Sequence, residues 1–461
     1  MKAIALDIET TGLNPRLDRI HGIGIAYYSK QKENDDPKKP NIVTKYKEAN
    51  DEEIKDILSN PENHIVGHNI RFDLRFLINN GFDVKAQIWD TKLMAQLVDE
   101  NRHLGLKDLV KSDNLQSKKD LDRQISSLSL HSVADLCRLD LDNPNRPYFE
   151  LISRYCKEDC RNTLELFKEL CIIIDQKHKN MLDFGFTKTL KTYLMEEARP
   201  LEGILLNMEL EGIKVKKDDL LLYRDQLVKE KIFYITQLNE LCKEQINNIE
   251  GELYEKEKEK RKSEIGKQNV KRKSERYKTY FNWQSAQHLS SLIFDQFEVS
   301  KRAVDKTKTG MPSTSEESLE NLRKTLQESD PLYKVLDIYK DYKKNQKLIT
   351  TYTGEGKGLL SQIEDGRVYS EYLQAGSAIK RKNPRSDEGG TITGRLSSKN
   401  PNMQNFPREC LVKKFFVPDT EDDVFVYFDY SQLELRIAAH ISKDPLPEKR
   451  LDRRRIQPVI P

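Results

Sequence analysis

KAIALDIET, residues 2–10, is a short β-type run in which Asp7 and Glu9 stand two apart. On a strand that spacing sends both carboxylates off one face, while Leu6 and Ile8 take the other. The next apolar runs, IHGIGIAYY (20–28) and IVTKY (42–46), are separated by turn-forming residues, so the three read as a meander opening a mixed sheet. Beyond them EEIKDILSN reads as a helix and HIVGHN as a short strand. RFDLRFLINNG reads as a helix stopped by Gly81, and TKLMAQLVDE as a further helix. Residues 151–175, LISRYCKEDCRNTLELFKELCIIID, hold a helical apolar period over many turns. The opening is therefore α/β, with a boundary expected near residue 185.

Two adjacent anions on an apolar strand repel each other and resist burial, which points to a neutralising cation; oxygen ligands suit Mg²⁺ or Mn²⁺. D-x-E alone is a weak signal, since a strand-end acidic pair feeding a turn reads the same way. Two later stretches strengthen it. In GHNIRFD, Asn69 precedes Asp73 by four; in YCKED, Tyr155 precedes Asp159 by four. Four residues on a helix means one face. If both helices pack on the first sheet, four acidic ligands meet: Asp7, Glu9, Asp73 and Asp159. Two divalent ions about 3.5–4 Å apart can activate a water and stabilise the leaving oxygen of a phosphodiester. Tyr155, neutral at working pH, is placed to orient that water. Cys156 and Cys160 share its helix at i, i+4, but with no nearby Cys/His partners they read as half-buried thiols.

The chain has 461 residues, long enough for two to four domains. Its 78 Lys+Arg against 75 Asp+Glu give a net charge of +3, so any nucleic-acid face must be a local patch. No apolar run approaches the roughly 18 residues of a membrane span, and the acidic residues at positions 7 and 9 argue against a signal peptide. Six scattered cysteines lack the density of an oxidised framework. A cytoplasmic protein with reduced thiols and no membrane partner is expected.

From 190 to 245 the sequence is amphipathic and helical, with a strand signal only at GIKV. Residues 251–280 then carry 11 Lys/Arg and 6 Glu, a local charge of 11 − 6 = +5. By itself that segment reads as a solvated helix pair broken at Gly266. Residues 305–316 form a polar loop ending in a helix N-cap pattern, and 353–359 and 383–390 are Gly- and Pro-punctuated loops.

The ordered set D-x-E, N-x3-D, Y-x3-D resembles the DEDDy 3′–5′ exonucleases of ribonuclease H-like fold. The resemblance implies that Asp7, Glu9, Asp73 and Asp159 are metal ligands, that Tyr155 orients the nucleophilic water, and that Thr10 and Asn69 help hold the 3′-terminal nucleotide. The later stretches EEARPLEGILLNMELEGIKV, FNWQSAQHLSSLIFDQF, KTKTGMPSTSEESLENL, YKKNQKLITTYT, GTITGRLSSKNPNMQNFP and FDYSQLELRIAAHIS resemble family A DNA polymerases, in the family's order. Together they imply an α/β ribonuclease H-like exonuclease domain (1–185) and a mostly helical, incomplete right-hand polymerase domain (186–443). The latter divides into a thumb at about 205–345 and a partial palm at about 346–443.

Within that resemblance the basic segment falls in the thumb, where Lys271, Arg272 and Lys273 would contact the DNA backbone without reading sequence. Arg395 would reach the minor groove, where acceptors common to all base pairs accept one donor. Asn402, Gln404 and Asn405 would lie beside it, and Lys347, Lys413 and Lys414 would meet phosphates. A buried β-run, VFVYFDY, would deliver Asp429 as the first palm metal ligand. Glu434 would be the gate that excludes a ribose 2′-hydroxyl, although Glu434 and Arg436 also read as a plain surface ion pair.

After HISKD the resemblance stops: residues 444–461 form an irregular tail with four prolines. The family's K-x3-N-F-G-x2-Y-G fingers helix and its H-D-E turn, bearer of the second palm carboxylate, do not occur. An insertion, GSAIKRKNPRSDEGG, precedes TGRLSS. The expectation is a truncated polymerase whose exonuclease is intact, acting on single-stranded 3′ ends and on primer-template, and which does not polymerise alone. Two other readings stay open: a ribonuclease D-like exoribonuclease, and a non-catalytic DNA-binding half whose partner chain supplies the fingers and the rest of the palm.

Overall fold

The computed structural model of the chain describes residues 2–29, 41–110, 116–264, 280–299, 305–307, 310, 312–354, 358–378, 390–406 and 410–443. The tail 444–461 and Lys271, Arg272 and Lys273 lie outside the described residues, as does most of the insertion before TGRLSS.

The first unit is a five-stranded sheet ordered β3-β2-β1-β4-β5, made of β1 (Ala3–Thr10), β2 (Ile20–Tyr28), β3 (Ile42–Lys47), β4 (His64–Gly67) and β5 (Gln87–Asp90). β1, β2 and β3 pair antiparallel, as the meander pattern requires, and β4 and β5 join parallel through helical crossovers. Those crossovers are α1 (Glu52–Ser59) and α2 (Arg71–Asn79). α1 is capped by Asp51, whose side chain accepts from the Glu53 N–H. α2 ends at Asn80 and Gly81, the glycine at φ +84°.

Strand alternation divides β1 as expected. Ile4, Leu6 and Ile8 enter a core with Ile54, Leu58, Leu74 and Phe76 from α1 and α2. Ala5 faces the opposite layer, built on Cys156, Cys160 and Leu164 of the long helix α7 (Phe149–Asp183). Each fully buried Ile or Leu contributes about 1.5–3 kcal/mol, and these clusters fix β1 between two helical layers. Between β5 and α7 come α3 (Thr91–Val98), the short α4 (Leu106–Leu109), α5 (Gln116–Ser127) and α6 (Val133–Leu141).

The second unit begins with α8 (Leu190–Tyr193), continuous through a wide turn at Leu194–Ala198 with α9 (Arg199–Glu211). β6 (Ile213–Lys214) follows, then α10 (Lys217–Leu241) and α11 (Lys243–Glu264). α12 (Ala286–Ser290), α13 (Glu316–Thr325) and α14 (Pro331–Lys347) share a core of Leu238, Trp283, Leu292, Leu336 and Tyr342 with them. Ser315 caps α13 by accepting from the Ser318 N–H, as the loop pattern predicts. Further on, β7 (Ile363–Glu364), β8 (Arg367–Val368), β9 (Glu371–Leu373) and β10 (Ser397–Lys399) form two small sheets with β6, and α15 (Leu433–Ser442) follows.

A buried ionic joint ties the units together. Arg71 and Arg75 of α2 meet Glu209 of α9 at 2.9 and 3.5 Å, and Arg75 also reaches Glu371 of β9 at 3.6 Å. Glu209 further accepts from the Tyr372 N–H, which with the two arginines offsets part of what burial costs its charge, so the carboxyl stays raised above its ordinary value by burial. Arg16 adds a cation over the Tyr369 ring, 3.2 Å from its centroid.

VFVYFDY, expected as a buried β-run, is neither a strand nor buried. Residues 424–430 pair with no strand among the described residues, and Phe428 is 92% and Tyr427 82% exposed. A β-run needs a neighbouring ladder to satisfy its N–H and C=O groups, and an apolar pattern alone does not supply one. Asp429 is accordingly exposed.

Candidate active site

The C-terminal half of β1 places Asp7 opposite Gly24 and Glu9 opposite Gly22, with a register shift between Glu9 and Thr10. The two glycines make room. A Cβ at residue 22 would lie 2.3 Å from the Tyr46 ring, and one at residue 24 would lie 2.6 and 2.7 Å from the thiols of Cys156 and Cys160. Two turns of α7 cross this face and bring Tyr155 and Asp159 to the carboxylates of β1, while Asp73 comes from the first turn of α2. Its Oδ1 accepts from the Ile8 N–H at 3.0 Å, which locks α2 to the strand between the two acidic residues.

The carboxylates of β1 feel those of the two helices. Burial, then the neighbouring Asp73, Glu9 and Asp159, push Asp7 well above the usual carboxylate range. Glu9 is raised likewise by burial, then by Asp159 and Asp73. Burial lifts Asp73 to about 8 against hydrogen bonds from backbone N–H groups, and lifts Asp159 to about 6 against a hydrogen bond from Tyr155. Tyr155 is itself raised well above its ordinary value by burial and the surrounding anions, so its hydroxyl stays protonated and donates.

The Glu9 carboxylate, 8% exposed, makes no hydrogen bond or ion pair among the described residues. Two buried carboxylates, Glu9 and Asp73, beside two half-buried ones, Asp7 and Asp159, with Glu9 left unpartnered, form an oxygen donor set suited to hard divalent cations.

The sequence pattern mislocates one residue. Asn69 does not share a helical face with Asp73, because it precedes α2 in the left-handed region at φ 64°, where its N–H donates to Asp90 at 3.0 Å. Tyr155 and Asp159 do lie on one helix face. Thr10 is buried, and its hydroxyl donates to the Gly12 carbonyl at 2.7 Å. Cys156 and Cys160 are fully buried rather than half-buried, with the Cys156 thiol 3.5 Å from both the Asp7 carbonyl and carboxylate.

Sequence reasoning passed over Lys118 of α5, whose ammonium lies 5.2 Å from the Tyr155 ring centroid and pulls against the rise of Asp159 and Glu9. One lysine in QSKKDLDRQ carries no signal in a single sequence. Also unread was the buried set behind the site. His21 Nε2 lies 2.9 Å from Asp140, Arg146 Nε donates to the same carboxylate at 2.6 Å, and His21 Nδ1 lies 2.6 Å from the Tyr46 hydroxyl. Burial alone would raise Asp140, but Arg146 and His21 hold it below its ordinary value. The set pins the end of α6 and the loop leading to the Tyr155 turn of α7.

In the second unit, Arg395 donates to Glu434 at 2.7 Å, both side chains being largely exposed. Glu434 therefore pairs with Arg395 and not with Arg436, whose Nε donates to the Ser431 carbonyl. Asn402 accepts from Ser398 and from the Gln404 N–H, Gln404 donates to the Leu396 carbonyl, and the Asn405 carbonyl accepts from Tyr352. These residues brace their own loop beside Arg395. Lys347, at the end of α14, and Lys413 and Lys414, in a 3₁₀ turn, are exposed.

Sheet order, the acidic end of β1 and the long crossing helix define a ribonuclease H-like exonuclease domain joined to a mostly helical second unit. The chain carries a 3′-5′ exonuclease domain, matched by that family over residues 1–175, and a DNA polymerase family A domain, matched over residues 252–449. It is similar to DNA polymerase I of Synechocystis sp., with 28% identity across 96% of this chain and 37% of that protein. DNA polymerase I of Streptococcus pneumoniae is 32% identical over 54% of the chain and 22% of that protein. The chain thus spans little more than a third of the Synechocystis relative's length. A solved structure, the POL domain of Pol1 from M. smegmatis in complex with DNA primer-template and dNTP, shares the fold. Its TM-score is 0.59 at 18% identity, covering 97% of this chain and 60% of that one. No helix among the described residues is long and apolar enough to cross a membrane.

Proposed function

We propose that the chain is a metal-dependent 3′–5′ exodeoxyribonuclease, acting in the cytoplasm on single-stranded DNA 3′ ends and on the primer strand of a primer-template. The observation that carries this reading is the convergence of Asp7, Glu9, Asp73 and Asp159 with Tyr155 at one end of β1. The four carboxylates would hold two Mg²⁺ or Mn²⁺ ions, which when bound supply the positive charge that activates water and neutralises the leaving oxygen. Asp7, with all three other carboxylates in its field, sits at the centre of the donor set. The Tyr155 hydroxyl orients the attacking water, Thr10 and Asn69 hold the terminal nucleotide, and Lys118 adds positive charge on the substrate side.

The domain limits carried into this reading are 1–185 for the nuclease and 186–443 for the thumb and partial palm. Arg395, Asn402, Gln404, Asn405, Lys347, Lys413 and Lys414, with Lys271, Arg272 and Lys273 of the basic segment, would hold duplex DNA through its backbone and minor groove. Glu434 would guard against ribonucleotides, with Arg395 released from it when DNA binds. Asp429, exposed on a run that pairs with no strand among the described residues, is poorly placed to share a metal with a second carboxylate. These 461 residues alone are therefore proposed to shorten primers and not to extend them. The exposed apolar run 424–430 is where further palm strands would add, from whatever polypeptide carries them.

The test is direct. The purified chain should shorten a labelled single-stranded DNA from its 3′ end with Mg²⁺ or Mn²⁺ and not with EDTA, and Asp7→Ala with Glu9→Ala should abolish this. Full activity in that double variant would overturn the assignment. RNA of the same sequence, degraded in preference to DNA, would favour the exoribonuclease reading instead.

A further inference from the structure

The carboxylate site holds a donor that the nuclease reading does not use. Cys156 follows Tyr155 on α7, and its thiol, fully buried, points into the acidic pair of β1. Ligand atoms of Asp7, Glu9 and Cys156 all lie within 4.8 Å of one another. The thiol cannot swing aside easily. It fills the space above Gly24, where a Cβ would come within 2.6 Å of the sulfur, and Cys160 occupies the other side at 2.7 Å.

We propose that Cys156 Sγ is a third donor beside Asp7 and Glu9 for a thiophilic divalent ion of the Zn²⁺ class, competing with Mg²⁺ for the nuclease site. This rests on the reading that the carboxylates hold metal. The geometry suits it. A metal about 2.3 Å from sulfur and about 2.0–2.2 Å from oxygen, at the tetrahedral angle, separates those two donors by about 3.6 Å. Cys156 Sγ and Asp7 Oδ2 are 3.5 Å apart. Glu9, unpartnered and 8% exposed, supplies the next oxygen with no bond to break. Mg²⁺ would engage the oxygens alone, because a hard cation gains little from sulfur, whereas Zn²⁺ and Cd²⁺ gain from both. On binding, the S–H bond breaks, a metal–sulfur bond forms and the proton leaves to solvent.

The experiment uses the full chain stripped with EDTA and titrated with Cd²⁺ alone, reading the thiolate-to-metal charge-transfer absorption and the affinity by calorimetry. Mn²⁺ binding, by electron paramagnetic resonance, is measured in parallel. Losing even an outer-shell partner costs about 10–100-fold in metal affinity, so Cys156→Ser should lower Cd²⁺ affinity at least about tenfold. It should also remove absorption present in the parent and in Cys160→Ser, with Mn²⁺ affinity unchanged. Cys156→Ala gives the same comparison where a buried serine hydroxyl disturbs packing, and thermal melts confirm that each variant is folded. A Cd²⁺ signal and affinity indifferent to Cys156, in a chain that binds Mn²⁺, overturns the proposal and leaves the nuclease reading standing. Failure to bind Mn²⁺ at all overturns both.

Discussion

Asp159→Asn should make the metal-free protein more stable while removing what it needs to work. The carboxyl sits at about 6 in the folded chain against 3.8 in the unfolded one, mainly through burial. Two units at 1.36 kcal/mol each give about 3 kcal/mol of destabilisation once the group is ionised in both states. Asp159 is only half-buried, so solvent screening brings this to about 1–2 kcal/mol. The sign follows from the raised value. Below 3.8 both states are protonated and the carboxyl costs nothing. The cost grows as pH rises to about 6 and is constant above that.

Asparagine has no charge to desolvate and still accepts from Tyr155, so its advantage should be absent below pH 4 and full at pH 8. Each kcal/mol moves the melting temperature of a unit this size by about 2–4 °C. Thermal melts in EDTA at the two pH values measure the difference, and repeats with Mn²⁺ should show the parent stabilised and the variant much less so. A variant no more stable than its parent in EDTA at pH 8, or equally stabilised by Mn²⁺, would refute the idea that Asp159 is a strained ligand awaiting a cation.

Tyr155→Phe should reduce DNA degradation by about 10²–10⁴-fold at most, less than loss of Asp7 and Glu9, because it removes a water-orienting hydroxyl and leaves the ligands; single-turnover rates measure this. Glu209→Ala should cost about 1–3 kcal/mol in denaturant melts, since it removes one carboxylate partner of Arg71 and Arg75 and the acceptor of the Tyr372 N–H, while Arg71 keeps Glu202 and the Tyr372 carbonyl and Arg75 keeps Glu371. Replacing Lys271, Arg272 and Lys273 with Ala should weaken primer-template binding across sequences and flatten its dependence on salt, which equilibrium titrations at several salt concentrations would show; an unchanged slope would return the segment to a solvated helix pair. Primer extension by the Asp7→Ala, Glu9→Ala chain with all four deoxynucleotides should add nothing, and any template-directed addition would mean that Asp429 has a partner carboxylate.

What could be read from sequence was set by how local its cause is. The alternation in KAIALDIET fixes which face of β1 carries Asp7 and Glu9, and the i, i+4 spacing in YCKED fixes Tyr155 and Asp159 on α7, because both follow from backbone periodicity. Asn69 was misplaced for the same reason: the four-residue rule assumes a helix, and the chain turns left-handed before α2 begins. Lys118, the His21–Asp140–Arg146 set and the Arg71–Glu209 joint depend on contacts between elements distant in sequence, which no local pattern encodes. The run at 424–430 failed in the opposite sense. Its apolar pattern fits a buried strand, but burial is decided by the neighbours, and the described residues provide none.

The central claim is that Asp7, Glu9, Asp73 and Asp159 hold two ions side by side. Titrating the EDTA-stripped chain with Mn²⁺ and following it by electron paramagnetic resonance tests this without a substrate. Two ions per chain, with the spin coupling expected of a pair about 3.5–4 Å apart and lost on Asp7→Ala, is the predicted result. A single uncoupled ion, or a coupled pair that survives Asp7→Ala, would contradict it.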